Sequence, residues 1–303
     1  CMTFDPKDRL QMRWLDREFG PGKPPPTHFL PSPRAFHDGA LLGLGWGMNP
    51  EPLIRDDLAA LGVTMDVFFS EKALYGTGRI EDAIKTHDPK LIAVVHGDTS
   101  TTMAQPLADI GEVCRRHNVL LYADATATLG GMKFSVDAWK IDAASAGLQK
   151  CLSGPPGSAP ITFNQRVADV VLTRKHIEQG IRPEGFNPGD GEMIQSNYFD
   201  LPMLMDYWSE SRLNHHTEAT SALYAARECA RLVLAEGLDA RIMRHQRVST
   251  ALSAGLEAMD LHLFGDQRHK MHNVTGVNVP DGVDATAVIR GMLDDFSIEI
   301  GTS

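Results

Sequence analysis

Between residues 91 and 163 the chain returns four times to a short, mainly apolar run, at 91–95, 119–123, 143–148 and 159–163. Runs of this length suit strands buried on both faces, as in a sheet covered by helices. Between the first two, Leu107, Ile110, Val113 and Cys114 recur at helical spacing and Asn118 offers a stop. Strand and helix in turn predict an α/β layer with a largely parallel sheet. Helices are expected at 54–61, 79–85, 165–179, 201–210, 217–236 (closed by Gly237), 239–259 and 285–296, and further strands at 63–69, 261–264, 274–279 and 298–300. Before residue 55 the pattern fails, because Pro21, Pro24, Pro25, Pro26, Pro31 and Pro33 crowd a stretch where neither a helix nor a central strand persists.

The expected organisation is a proline-rich segment over 1–54, a large α/β domain over 55–237 and a small α+β domain over 238–303. A hydrophobic content of 43% in 303 residues supplies a core for it. The formal charge of −10 disfavours nucleic acid and anionic lipid as partners. Neither an 18-residue uncharged apolar run nor a basic leader followed by an apolar stretch occurs, so a cytosolic protein is expected. Cys1, Cys114, Cys151 and Cys229 form no CxxC pair, which removes a zinc ribbon and fits a reducing compartment.

The ends of the apolar runs carry the chemistry, since ligands of open α/β sheets bind at the carboxyl edge. His96-Gly97-Asp98-Thr99-Ser100-Thr101 follows the first run, Asp124-Ala125-Thr126 the second, and Gln149-Lys150-Cys151 the third, with Gly154-Pro155-Pro156-Gly157 behind it. A lysine at a strand end is a candidate amine nucleophile, because partial desolvation lowers its pKa and lets it form Schiff bases. Taken singly, Lys150 reads first as a solvated strand-end lysine, and Asp124 as a turn cap. Taken together, a lysine for an aldehyde and a carboxylate for a pyridine nitrogen are what pyridoxal phosphate requires.

Tyr122-Ala123-Asp124-Ala125-Thr126-Ala127-Thr128-Leu129-Gly130-Gly131 and Ser145-Ala146-Gly147-Leu148-Gln149-Lys150 resemble class V aminotransferases of fold type I, and the 26 residues from Asp124 to Lys150 match the alanine-glyoxylate branch. The resemblance runs from about Ile80 to Ser303, weakens over 55–79 and is absent before that. It implies a fold type I transferase with pyridoxal 5'-phosphate as cofactor and no metal. Lys150 would be the catalytic lysine and would hold the cofactor aldehyde. Asp124 would pair with the pyridinium nitrogen, Thr99 would donate to the phenolic oxygen, Gln149 would touch the phosphate, and Thr126 would pack against the ring. Thr217, by itself an N-cap candidate, would reach the phosphate of a neighbouring subunit, which implies a homodimer with shared active sites. His215 and His216 are expected to pack at the helix entry, because adjacent histidines project to different sides and no third metal ligand is spaced for them.

Asn214 stands where alanine-glyoxylate enzymes carry tyrosine. In this, and over Ser196-Asn197-Tyr198-Phe199-Asp200-Leu201, the chain is similar to the ureidoglycine-glyoxylate subfamily of purine catabolism. An amide both donates and accepts, which matches a ureido group; helix capping is the plain alternative. The implied function is transfer of an amino group from (S)-ureidoglycine to glyoxylate or another 2-oxo acid. The rivals are an alanine- or serine-glyoxylate aminotransferase and a degenerate non-catalytic homologue. A cysteine desulfurase is disfavoured because no cysteine lies on a suitable loop between Lys150 and Asn214. Two departures stand out. The Gly/Ser-rich phosphate turn is not found at 18–28, with Trp46 a candidate for the stacking aromatic, and the sequence stops near the expected substrate-carboxylate arginine. A partial or frameshifted product with weakened cofactor binding and turnover is the expectation from both.

Overall fold

The computed structural model describes residues 2–3, 28–29, 76–177, 182, 184–187, 189, 191, 194, 198–210 and 212–301. The chain forms two compact units, Cys1–Phe69 and Ser70–Ser303. In the first, β1 (Met2–Thr3) pairs in parallel with β2 (His28–Phe29). The expected helix at 54–61, the expected strand at 63–69, the segment 18–28 apart from His28, and Trp46 lie outside the described residues.

In the second unit, helix α1 (Thr77–His87) leads into strand β3 (Leu91–Val95), and the hairpin β4 (Gly97–Asp98) and β5 (Met103–Ala104) leads into helix α2 (Leu107–Arg116). Strands β6 (Leu120–Asp124), β7 (Ala143–Ser145) and β8 (Ile161–Phe163) follow. The sheet order is β3-β6-β7-β8, with β8 antiparallel to the other three. The apolar stripe of α2 lies in the core as its spacing predicts: Leu107, Ile110, Val113 and Cys114 are buried with Val94, Leu121, Ala123 and Ala144. Gly111 allows the close approach, since a Cβ there would lie 1.8 Å from the carbonyl oxygen of Trp139. Asn118, at φ 55, ends the α2 segment in the left-handed conformation.

Helices α3 (Gln165–Leu172), α4 (Leu201–Trp208), α5 (Thr220–Glu236), α6 (Leu238–Ala258) and α7 (Ala285–Phe296) complete the unit. Gly237, at φ 84, closes α5 and opens α6. Three expectations need correction. Helix α3 stops at Leu172 rather than running to 179, because the carbonyls of Thr173 and Lys175 are taken by the amides of Gly191 and Gly189. The strands expected at 261–264 and 274–279 reduce to one antiparallel bridge, Leu263 with Val277, and residues 298–300 form no strand, because a strand needs a neighbouring ladder and none is present among the described residues. Helix α5 opens at Thr220, not at 217, with Ala219 in the capping position and no side-chain cap. Thr217 and Asn214 therefore do not cap it. No helix of the described residues is long and apolar enough to cross a membrane.

Candidate functional site

Parallel strands in register bring their carboxyl ends together, and here Asp124 at the end of β6 faces Val95 on β3 and Ser145 on β7. The alignment persists one step further, as His96 donates its amide to the Asp124 carbonyl (2.8 Å) and Ala125 donates to Ser145 (2.8 Å). Asp124 Oδ1 accepts from the amide of Thr126 (2.8 Å), turning the chain sharply. Among the described residues its Oδ2 makes no hydrogen bond.

Thr126 and Gln149 meet over Gly147. A Cβ on Gly147 would lie 2.6 Å from Gln149 Oε1 and 3.0 Å from Thr126 Cγ2, so the glycine keeps a small floor between them. Lys150 is exposed on the turn that follows, which is closed by Ser153 N–H to the Lys150 carbonyl (2.9 Å) and Gly154 N–H to the Leu148 carbonyl (2.8 Å). Its ammonium makes no hydrogen bond or ion pair among the described residues. Thr99 is exposed in the 99–102 turn between β4 and β5, where the Asp98 carboxylate accepts from the amide of Ser100 (3.0 Å) and the hydroxyl of Thr101 (2.7 Å). Gly97, at the root of that hairpin, has Met271 against it and the Thr128 methyl 2.4 Å from where a Cβ would stand.

Asn214 and Thr217 are exposed in the irregular stretch 212–219, and no hydrogen bond joins them to the strand-end group among the described residues. The two histidines beside them correct the expectation that neighbours diverge. Their Nδ1 atoms lie 2.7 Å apart, and His216 packs against Tyr198 and Tyr207 while its Nε2 reaches Glu218 (3.1 Å). Aromatic packing and the Glu218 contact hold both rings on one side. Among the described residues no three His, Cys, Asp or Glu side chains stand together to hold a metal.

His96 carried no role in the sequence beyond its motif, yet it is buried, bonded through Nδ1 to Thr128 Oγ1 (2.8 Å), and ringed by Phe134 and Trp139. Burial pushes its pKa from 6.5 down to about 4. Unfolded, it would take a proton near 6.5 that the fold rejects until about 4. Stability is therefore full above the unfolded value and is lost as pH falls through that window, by roughly 3 kcal/mol in all. Comparing thermal unfolding at pH 7 and pH 5 should show a smaller acid-induced drop for His96→Asn than for the unsubstituted chain. Equal drops would remove His96 as the source. Burial also raises the thiols, Cys114 to about 11 and Cys151 above its usual value, so neither is a ready thiolate for sulfur chemistry.

Residues 57–302 match the family described as Aminotransferase class-V. The (S)-ureidoglycine--glyoxylate transaminase of Bacillus subtilis is 54% identical over 222 residues, 73% of this chain and 53% of that protein. An alanine--glyoxylate aminotransferase of Drosophila melanogaster is 34% identical over 223 residues, 72% of this chain and 52% of that protein. The crystal structure of the Bacillus subtilis ureidoglycine-glyoxylate aminotransferase superposes with a TM-score of 0.72 at 48% identity, covering 83% of this chain and 61% of that one. The chain spans about half the length of the curated relatives it matches.

Proposed function

Because the chain belongs to the class V aminotransferase family and has its fold type I architecture, we propose that it serves the transfer of an amino group from (S)-ureidoglycine to glyoxylate or another 2-oxo acid. The observation that carries this reading is the gap between 54% and 34% identity over spans of nearly equal length. Asn214 supports it, as an amide suits a ureido group better than a phenol does.

The strand-end residues fit pyridoxal phosphate on their own terms. Lys150 offers an amine with no partner among the described residues, Asp124 an oxygen with none, and Gly147 a floor that a Cβ would fill. When bound, the cofactor supplies an electron sink and a carrier for the amino group. Lys150 would hold its aldehyde and, once released, carry the proton from the substrate Cα as general base and acid. Asp124 would keep the pyridine nitrogen protonated, Thr99 would donate to the phenolic oxygen, Thr126 would pack against the ring, and Gln149 with Thr217 of a second copy would contact the phosphate. A cytosolic homodimer completes the proposal. Exposed Tyr198, Phe199 and Trp208 give it an apolar surface to bury. Residues 238–303 are assigned to the small domain.

A donor panel tests the reading: with glyoxylate as acceptor, glycine should form faster from (S)-ureidoglycine than from alanine or serine, and a preference for alanine would overturn it. Asn214→Tyr should lower kcat/KM for ureidoglycine about ten- to a hundredfold while sparing alanine, since a lost hydrogen-bond pair to a polar substrate costs about that much. Equal losses for both donors would place Asn214 outside substrate recognition.

A further inference from the structure

The ladder between β6 and β7 ends at the Ala125–Ser145 bond, yet the groups of interest lie on or beside the turns that diverge from it, 127–131 on one side and 150–154 on the other. Two residues distant in sequence join these turns again. Arg241, in the first turn of α6, donates from Nε to the Gly130 carbonyl (3.1 Å) and from Nη2 to the Cys151 carbonyl (2.5 Å). Its remaining nitrogen, Nη1, is held by Glu236 (2.8 Å), which Arg244 holds in turn (2.6 Å). Asn273 donates from Nδ2 to the Ala127 carbonyl (2.6 Å) and to Cys151 Sγ (3.1 Å). We propose that Arg241 and Asn273 are positioning residues for Lys150, clamping its turn to the turn that follows Asp124 so that amine and carboxylate keep one separation.

The inference rests on the proposed roles of Lys150 and Asp124, and three observations carry it. Three of the four acceptors are backbone carbonyls, one residue beyond Lys150 and three and six residues beyond Asp124, and the fourth is the Cys151 side chain, so most of these bonds fix main chain rather than fill space. A guanidinium with three nitrogens committed in a plane resists rotation in a way that a single flexible contact does not. Asn273 Oδ1 is buried with no partner among the described residues. A buried acceptor left unmet costs free energy, so packing alone does not select an asparagine at this point. Gly131 belongs to the same arrangement, since a Cβ there would stand 2.6 Å from Cys151 Sγ and 3.3 Å from Asn273 Cβ.

The test uses the full-length enzyme with Arg241→Ala, Asn273→Ser and Gly131→Ala, the last driving the turns apart while leaving Arg241 and Asn273 themselves in place. Without cofactor, alkylation of Cys151 by iodoacetamide, followed by peptide mapping, reports how well the turns are held. It should speed up severalfold in each variant while Cys114 and Cys229, both buried, stay protected. With cofactor, kcat should fall about ten- to a hundredfold with little change in donor KM, the cost expected when a reacting group is displaced by about an ångström. Visible circular dichroism of the bound cofactor should weaken. Arg241→Lys should not rescue, because one ammonium cannot span the Gly130 and Cys151 carbonyls and Glu236 together. Unchanged alkylation would show that no clamp exists. Faster alkylation with unchanged kcat and dichroism would show that the clamp does not position Lys150. Failure of the unsubstituted enzyme to attach pyridoxal phosphate at Lys150 would instead remove the reading beneath the proposal, while the alkylation result would still report on the turns.

Discussion

Borohydride treatment of the protein with pyridoxal phosphate should leave the pyridoxyl label on Lys150, and Lys150→Ala should abolish both the label and transamination. The lysine sits on the turn after β7 with its ammonium unpaired among the described residues, near the strand end that Asp124 occupies. An amine engaged in an ion pair would have to break it before attacking an aldehyde; among the described residues this one has none to break. Loss of the general base that moves the Cα proton costs on the order of a hundred- to ten-thousandfold by itself, and loss of covalent attachment adds to that. Peptide mapping that places the label on another lysine, or a Lys150→Ala protein that keeps its rate, would overturn the assignment. Asp124→Asn is the companion experiment. It should still take the label while turnover falls steeply, because an amide cannot hold a proton on the pyridine nitrogen as a carboxylate does.

The parts of this arrangement that were legible in the sequence are those encoded within one strand and its turn. Strand β3 and helix α7 fall where the pattern puts them, because a continuous apolar run and apolar residues at helical spacing each carry their own signal. The places of Asp124, at the end of β6, and of Lys150, on the turn after β7, were legible because each follows directly on an apolar run. Arg241 and Asn273 were not, for their partners lie 90 to 146 residues away and no local periodicity encodes such a contact. The strands expected at 261–264 and 274–279 failed for a related reason. An apolar run specifies a tendency to extend, while a ladder also requires a neighbour, and here only Leu263 and Val277 find each other. Thr217 shows the limit of capping signals, since a hydroxyl before a helical pattern does not guarantee that the helix begins there.

At the opposite end of the same strands a second aspartate does a different job, and replacing it should have the largest effect on stability. Asp142, just before β7, is 1% exposed and accepts from Leu121 N–H (2.9 Å), Asn164 Nδ2 (2.7 Å) and Arg166 Nη1 (2.8 and 2.9 Å). It thus ties the start of β6, the end of β8 and the first turn of α3 to one carboxylate. Asp142→Ala would strand the Leu121 amide and leave the Arg166 guanidinium facing no counter-charge. Removing the buried partner of this part-exposed pair, together with the hydrogen bonds it accepts, costs about 2 to 4 kcal/mol, which in a unit of this size lowers the melting temperature by roughly 10 °C. Asp142→Asn keeps the shape but turns an NH2 group toward donors, so it should be destabilising too. The contrast with Asp124→Asn separates the two ends of the sheet. Substitution at Asp142 should lower thermal stability while the protein, at a temperature where it remains folded, still takes the pyridoxyl label on Lys150. Substitution at Asp124 should slow turnover with little change in melting temperature. A melting temperature unchanged by Asp142→Ala would mean that the strands are aligned by their ladder and the α2 packing alone.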